Sequence, residues 1–366
     1  MAKFIELAAQ GVQGLQAYQP GKPIEELERE LGITDIIKLA SNENPLPTSE
    51  RVKQAIAASI ADIARYPDGS AFELKQKLAQ KLHVAENQIT IGNGSSEVLE
   101  LTTRVFLGAG QSAVVSQHAF LVYRLYIQSL SANAIVVPAK NWGHDISAMI
   151  AAVDSTTRVV FIANPNNPTG TWVSLAEIES LLQRISKDVI VLLDEAYYEY
   201  VEKDGYGSGI SLIEKYPNLV VTRTFSKAYG LAALRVGYAV SSPEIADLLN
   251  RLRPPFNVTT LGLCAAAAVL DDEQFIETSC QVNRDGMVQL EQGLAALGLN
   301  YIPSVGNFIA IEMPGSVNEI YQALLHKGVI TRPIGVYEMP NHLRVTIGTE
   351  KENKKFLTAL SEVLAI

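Results

Sequence analysis

The stretch "TRTFSKAYGLAALRVGY" (residues 222–238) carries Thr224, Ser226 and Lys227 within four positions, with Arg235 eight residues beyond the lysine. It reads as a strand that breaks into a polar turn. Lys227 is therefore either a solvated charge or a nucleophile placed where a sheet runs out. Three other strand ends carry groups of complementary chemistry. "TIGNGSSEVLE" sets Gly94, Ser95 and Ser96 between a strand and a helix. Amides at such a helix start favour a phosphate, although an ordinary capped helix has the same composition. "IANPNNPTG" ends a strand in a heavily specified turn, where Asn167 is a turn residue or an amide aimed into a cleft. "VIVLLDEAYYEY" stays apolar as far as Asp194. That acid is a helix cap or a charge aimed at a cation, and Tyr197 shares its surroundings.

These residues need a scaffold that delivers strand ends to one edge. The middle of the chain supplies it: "QITIGNGSS", "SAVVSQ", "NAIVVPA", "TRVVFIA", "DVIVLLDEAY" and "NLVVTRTFSK" are short β-rich runs, with helical segments after several of them. The alternation predicts an α/β fold with a mostly parallel sheet flanked by helices. In such sheets ligands bind beyond the carboxyl ends of the strands. A nucleophilic lysine, an anion cradle, an acid and an amide donor would then meet at one site. Pyridoxal phosphate needs that set, with the lysine forming an imine and the acid facing the pyridine nitrogen.

After about residue 250 the pattern changes to a long helix (about 272–297), "YIPSVGNFIAIEM", a further helix, "VITRPI", "HLRVTIGT" and a last helix. The expected organisation is a large cofactor-binding domain over 46–250 and a smaller α+β domain over 251–366. An N-terminal segment (1–45) packs with the smaller domain. Hydrophobic residues are 48% of the 366 and charged ones 19%, enough for a sizeable core. A net charge of −9 argues against a nucleic-acid partner. The most apolar run, "LGLCAAAAVL", is about half a membrane span, and the N-terminus lacks the apolar run of a signal peptide. Cys264 and Cys280 form neither a disulfide framework nor a metal-binding spacing. No metal and a cytoplasmic location are expected.

"NPNNPTG", "DEAY" and "SKAYGLAALRVGY", in this order and spacing, resemble the fold-type I pyridoxal-phosphate-dependent aminotransferases over almost the whole chain. "LASNENPLP", "RYPDGS" and "GVITRPIGVYEMPNHLRVTIGT" are similar to the histidinol-phosphate aminotransferases among them. The resemblance implies that Lys227 holds the cofactor and moves protons, and that Asp194 keeps the ring nitrogen protonated. Asn167 and Tyr197 would bond the phenolic oxygen. Arg235, with Gly94, Ser95, Ser96, Thr224 and Ser226, would hold the phosphate. It implies that Phe120 in "HAFLVY" stacks on the ring, although a core phenylalanine reads the same. Tyr66 would reach the phosphate of a second subunit, making a homodimer with shared sites. Arg344 and Arg332 would take substrate anions, with Tyr18 and Asn44 closing over the substrate. The implied reaction exchanges an amino group between L-histidinol phosphate and 2-oxoglutarate, in histidine biosynthesis.

Two departures concern the substrate pocket: Pro47 stands where relatives carry a glycine, and "HAFLVY" lacks a proline before its aromatic. An aromatic amino acid aminotransferase and a threonine-phosphate decarboxylase-like lyase stay open as alternatives. A dinucleotide oxidoreductase does not fit, because "GNGSSE" lacks the third glycine of that fingerprint. The extent of the resemblance leaves no attached DNA-binding segment expected, as in regulators that keep this fold.

Overall fold

Runs of β-branched and leucine residues, closed by glycine, proline or polar turns, become strands buried on both faces. The computed structural model describes residues 3–17 and 21–365. A short strand β1 (Ile37–Lys38) precedes the strands of the main sheet. These are β2 (Ile89–Asn93), β3 (Ser112–Ser116), β4 (Asn133–Val137), β5 (Thr157–Ala163), β6 (Ile190–Asp194), β7 (Leu219–Thr224) and β8 (Val236–Val240). Then follow β9 (Tyr301–Ile302), β10 (Phe308–Glu312), β11 (Val329–Ile330), β12 (Arg332–Pro333) and β13 (His342–Thr346).

Seven strands form the main sheet in the order β2-β8-β7-β6-β5-β3-β4. All neighbours are parallel except at β8, which is antiparallel to both β2 and β7. The turn 225–235 is too short for the helical crossover that a parallel return requires. This reversal matters for the site. It brings Arg235, at the amino end of β8, to the edge where β2, β5, β6 and β7 deliver their carboxyl ends. Val160, Ile162, Val191 and Leu193 pack on one face of the sheet, and Phe161, Leu192 and Val220 on the other.

The smaller unit is an antiparallel sheet in the order β12-β13-β10-β9. Its core joins Leu290, Leu294, Ile309, Leu343 and Phe356, and includes Leu39 from the N-terminal segment. Strand β1 pairs with β11 in parallel. The expected boundary at residue 250 falls ahead of helix Thr260–Leu270, whose Ala265, Ala266, Val269 and Leu270 belong to the large core. That helix is apolar all round and rich in alanine, so it packs closely against helix Glu50–Ser59. The passage between the two cores instead falls within helix Glu273–Ala296. Phe275 and Ile276 pack on the large cluster, and Leu290 and Leu294 lie in the small one.

Among the described residues no helix is long and apolar enough to cross a membrane. None of their His, Cys, Asp and Glu side chains form a group that could hold a metal.

Candidate active site

The edge described above opens into a cavity of about 160 Å³, bounded by both units and by residues 40–42. Lys227, at its centre, follows the end of β7 and donates from Nζ to the Ser41 carbonyl at 3.1 Å. Nζ also lies 5.7 Å from the centre of the Tyr197 ring. Burial, with Arg344 and Arg235 nearby, pushes the amine down to about 7, against the pull of Glu43 and Asp194. A substantial share of the amine is then neutral near pH 7, where an ordinary lysine is almost wholly charged. Covalent capture of an aldehyde by the cofactor-free protein is expected to accelerate as pH rises through about 7 and to level off above it. Stopped-flow capture rates across pH 5.5–10 check this; a rate climbing steadily toward pH 10 would contradict it.

Asp194 ends β6 at the cavity floor. Burial raises its carboxyl above the usual range, opposed by hydrogen bonds from Tyr123 Oη (2.8 Å) and Thr222 Oγ1 (3.1 Å). No lysine or arginine pairs with it among the described residues. A buried carboxylate held by two hydroxyls and facing a cavity is suited to a cation that enters with a ligand. Sequence reasoning missed both hydroxyls. Tyr123 stands one helical turn from Phe120, and Thr222 two strand positions before Thr224. Those periodicities were the available signal.

The anion cradle lies opposite. Helix Ser95–Phe106 starts at Gly94, so Ser95 and Ser96 line the cavity with Thr224, Ser226 and Arg235. Arg235 Nη1 donates to Ser226 Oγ at 3.2 Å. Glycine is required at two places. Gly94 has φ +77°, and a Cβ there would stand 2.5 Å from Arg235 Nη2. A Cβ on Gly237 would stand 2.2 Å from the Ser95 amide nitrogen, so its absence lets the helix start rest against β8. Helix amides, hydroxyls and a guanidinium converge where negative charge is favoured.

On the other side, Arg344 is buried on β13 and donates to Asn167 Oδ1 at 2.5 Å and to the Ala40 carbonyl at 2.8 Å. Its Nε is buried with no hydrogen-bond partner. Arg332, also lining the cavity, is directly opposite Arg344 in the β12–β13 register. Two like charges facing each other across a strand pair are unfavourable, and an anion between them would reverse the sign.

The aminotransferase class I and II family model matches residues 34–360. This chain belongs to the class I and II aminotransferases. Histidinol-phosphate aminotransferase 2 of Pseudomonas aeruginosa is 53% identical over 367 residues, covering 100% of both chains. Histidinol-phosphate aminotransferase 1 of Nitrosococcus oceani is 52% identical, covering 99% of this chain and 98% of that one. The solved structure of histidinol-phosphate aminotransferase from Sinorhizobium meliloti in complex with pyridoxal-5'-phosphate has a TM-score of 0.90 at 29% identity. The match covers 97% of this chain and 96% of that one.

The aminotransferase uses pyridoxal phosphate, and the residues present fit it: a depressed lysine amine, an unpaired buried acid and a glycine-built anion cradle, all on one cavity. Phe120 lines this cavity, edge-on to Tyr123 with ring centres 5.7 Å apart. The remaining expected residues of the aminotransferase lie elsewhere. Asn44 does not line the cavity; its amide donates to the Ala228 carbonyl and Ser279 Oγ, tying the N-terminal segment to both units. Its neighbour Asn42 lines the cavity instead. Tyr66 is 81% exposed and stacked on Phe256, away from the cavity. Tyr18 lies outside the described residues.

Proposed function

We propose that this aminotransferase exchanges the amino group of L-histidinol phosphate with 2-oxoglutarate, giving imidazole acetol phosphate and glutamate in histidine biosynthesis. The register-paired Arg332 and Arg344 carry the reading, because one half-reaction brings a phosphate and the other a second carboxylate to the same place. The names of full-length relatives above 50% identity support it. When bound, pyridoxal phosphate supplies an electron sink for charge developing at the substrate α-carbon. Lys227 Nζ would anchor the cofactor, and its amine would move the proton at the substrate α-carbon. Asp194 would hold a proton on the ring nitrogen, while Asn167 and Tyr197 would donate to the phenolic oxygen. The helix start at Ser95 and Ser96, together with Thr224, Ser226 and Arg235, would grip the phosphate, and Arg344 would orient the substrate anion.

We place the working unit as a cytoplasmic homodimer with shared sites. Tyr66 stacks on Phe256, and both are exposed, as are the large apolar side chains of Ile60, Ile63 and Phe72 nearby in sequence; exposed apolar side chains of this kind favour an interface. Tyr66 would reach the phosphate of the neighbouring site. A monomer in sedimentation would remove this part of the proposal.

A half-reaction experiment tests the substrate. Cofactor-loaded protein is mixed with histidinol phosphate, phenylalanine or threonine phosphate, and the visible band is followed. Histidinol phosphate is expected to convert it fastest, and Arg332→Gln to slow that conversion at least tenfold, about 1.4 kcal/mol. Efficient conversion by phenylalanine, with none by histidinol phosphate, would transfer the assignment to an aromatic substrate. Release of carbon dioxide would mark a lyase.

A further inference from the structure

We propose that Asn42 is a positioning residue that directs the Tyr197 hydroxyl proton into the cofactor cavity. The inference rests on the proposed role of Tyr197 as a donor to the phenolic oxygen. Asn42 is 1% exposed and lies on the N-terminal segment, with its backbone in the left-handed region at φ +54°. Its Nδ2 donates to Tyr197 Oη at 2.9 Å. An amide NH₂ has only protons to offer, so Tyr197 accepts from it and keeps its own proton for another partner. The orientation of the amide is set by Thr346. That hydroxyl accepts from the Asn42 backbone amide at 2.9 Å and reaches Asn42 Oδ1 at 3.5 Å, leaving Nδ2 for the tyrosine. Asn307 Nδ2 donates to the Asn42 carbonyl at 3.0 Å, so the backbone is held from the other side as well. Tyr197 is buried against Phe308, its ring edge-on at 5.1 Å, which limits its swing. Its hydroxyl therefore has a fixed donor in Asn42, and both residues line the cavity.

A donor into the tyrosine oxygen also polarises the O–H bond and strengthens its own donation. Burial keeps the phenol protonated, and the Asn42 bond acts in the opposite sense, easing that proton outward. The consequence falls on the lysine–cofactor linkage. A stronger donor at the phenolic oxygen stabilises the deprotonated form of the linkage and lowers its pH midpoint.

The test is a double-mutant cycle read by pH titration of the visible band in cofactor-loaded protein. Asn42→Gly removes the amide and keeps a backbone that adopts positive φ readily. It is expected to raise the midpoint by about 0.5–1 pH unit, and Tyr197→Phe by about 1–2 units. The double variant should match Tyr197→Phe alone. Thr346→Val leaves Asn42 in place while freeing its amide, and should raise the midpoint by a smaller amount. Unchanged midpoints in both Asn42→Gly and Thr346→Val overturn the proposal. So does an Asn42→Gly shift that persists undiminished beside Tyr197→Phe, since that is a general structural effect. Absence of a visible band in the loaded wild type would instead strike at the cofactor reading itself.

Discussion

Lys227→Ala is expected to leave no covalent adduct after borohydride reduction and to lower the transamination rate by more than about 10⁴-fold. Two proposed roles are lost at once, since the same amine would anchor the cofactor and carry the α-proton. The variant still folds and still binds the cofactor's phosphate, because Gly94, Ser95, Ser96 and Arg235 belong to a cradle built independently of the lysine. Intact mass after reduction checks the first part and single-turnover rates the second. A reducible adduct on another lysine would overturn the assignment. Burial lowers the Lys227 amine to about 7, so near neutral pH it is available as a nucleophile inside the cavity.

Asp194→Asn is the second large effect, separable from the first because the covalent adduct should survive. An amide cannot keep the ring nitrogen protonated, so the electron sink weakens. The expected fall in the half-reaction rate is on the order of 10³–10⁴-fold, about 4–5.5 kcal/mol. The fold should tolerate the change, since the Tyr123 and Thr222 hydroxyls can each rotate to accept from an amide NH₂. Stopped-flow half-reactions on the loaded variant measure it. A loss below tenfold would mean that Asp194 serves chiefly to anchor β6 to its neighbours.

The chemistry was legible in the sequence because it sits at strand ends, where a charged or hydroxyl residue interrupts an apolar run. Asp194, Asn167 and Ser95 each follow such a run by one to four positions and Lys227 follows its own by six, and one cavity collects them. What was hidden is non-local. Asn42 meets Tyr197 across 155 positions, and nothing within "SNENP" favours it over Asn44, whose proline neighbour draws attention first. The opposition of Arg332 and Arg344 is a matter of strand register, and the short strand β12 has no pattern from which a register could be read. The packing of helix Thr260–Leu270 on the large core was not legible, because an alanine-rich apolar helix carries no stripe to tell which core it joins.

Residues 40–42 touch Arg344, Lys227 and Tyr197 in turn, the first two through the carbonyls of Ala40 and Ser41. Every amino acid carries that carbonyl, so replacing the side chains at 40 and 41 leaves both acceptors in place. Their instruction is written in spacing. Leu39 hydrogen-bonds to Ile330 and Asn42 to Thr346, and the two residues between must span that interval. Ser41→Ala would leave both oxygens in place, whereas deleting a single residue would pull them out of reach. A divergent relative could therefore change the side chain at 41 and keep the site, provided that it kept a small residue at the buried position 40 and kept the count.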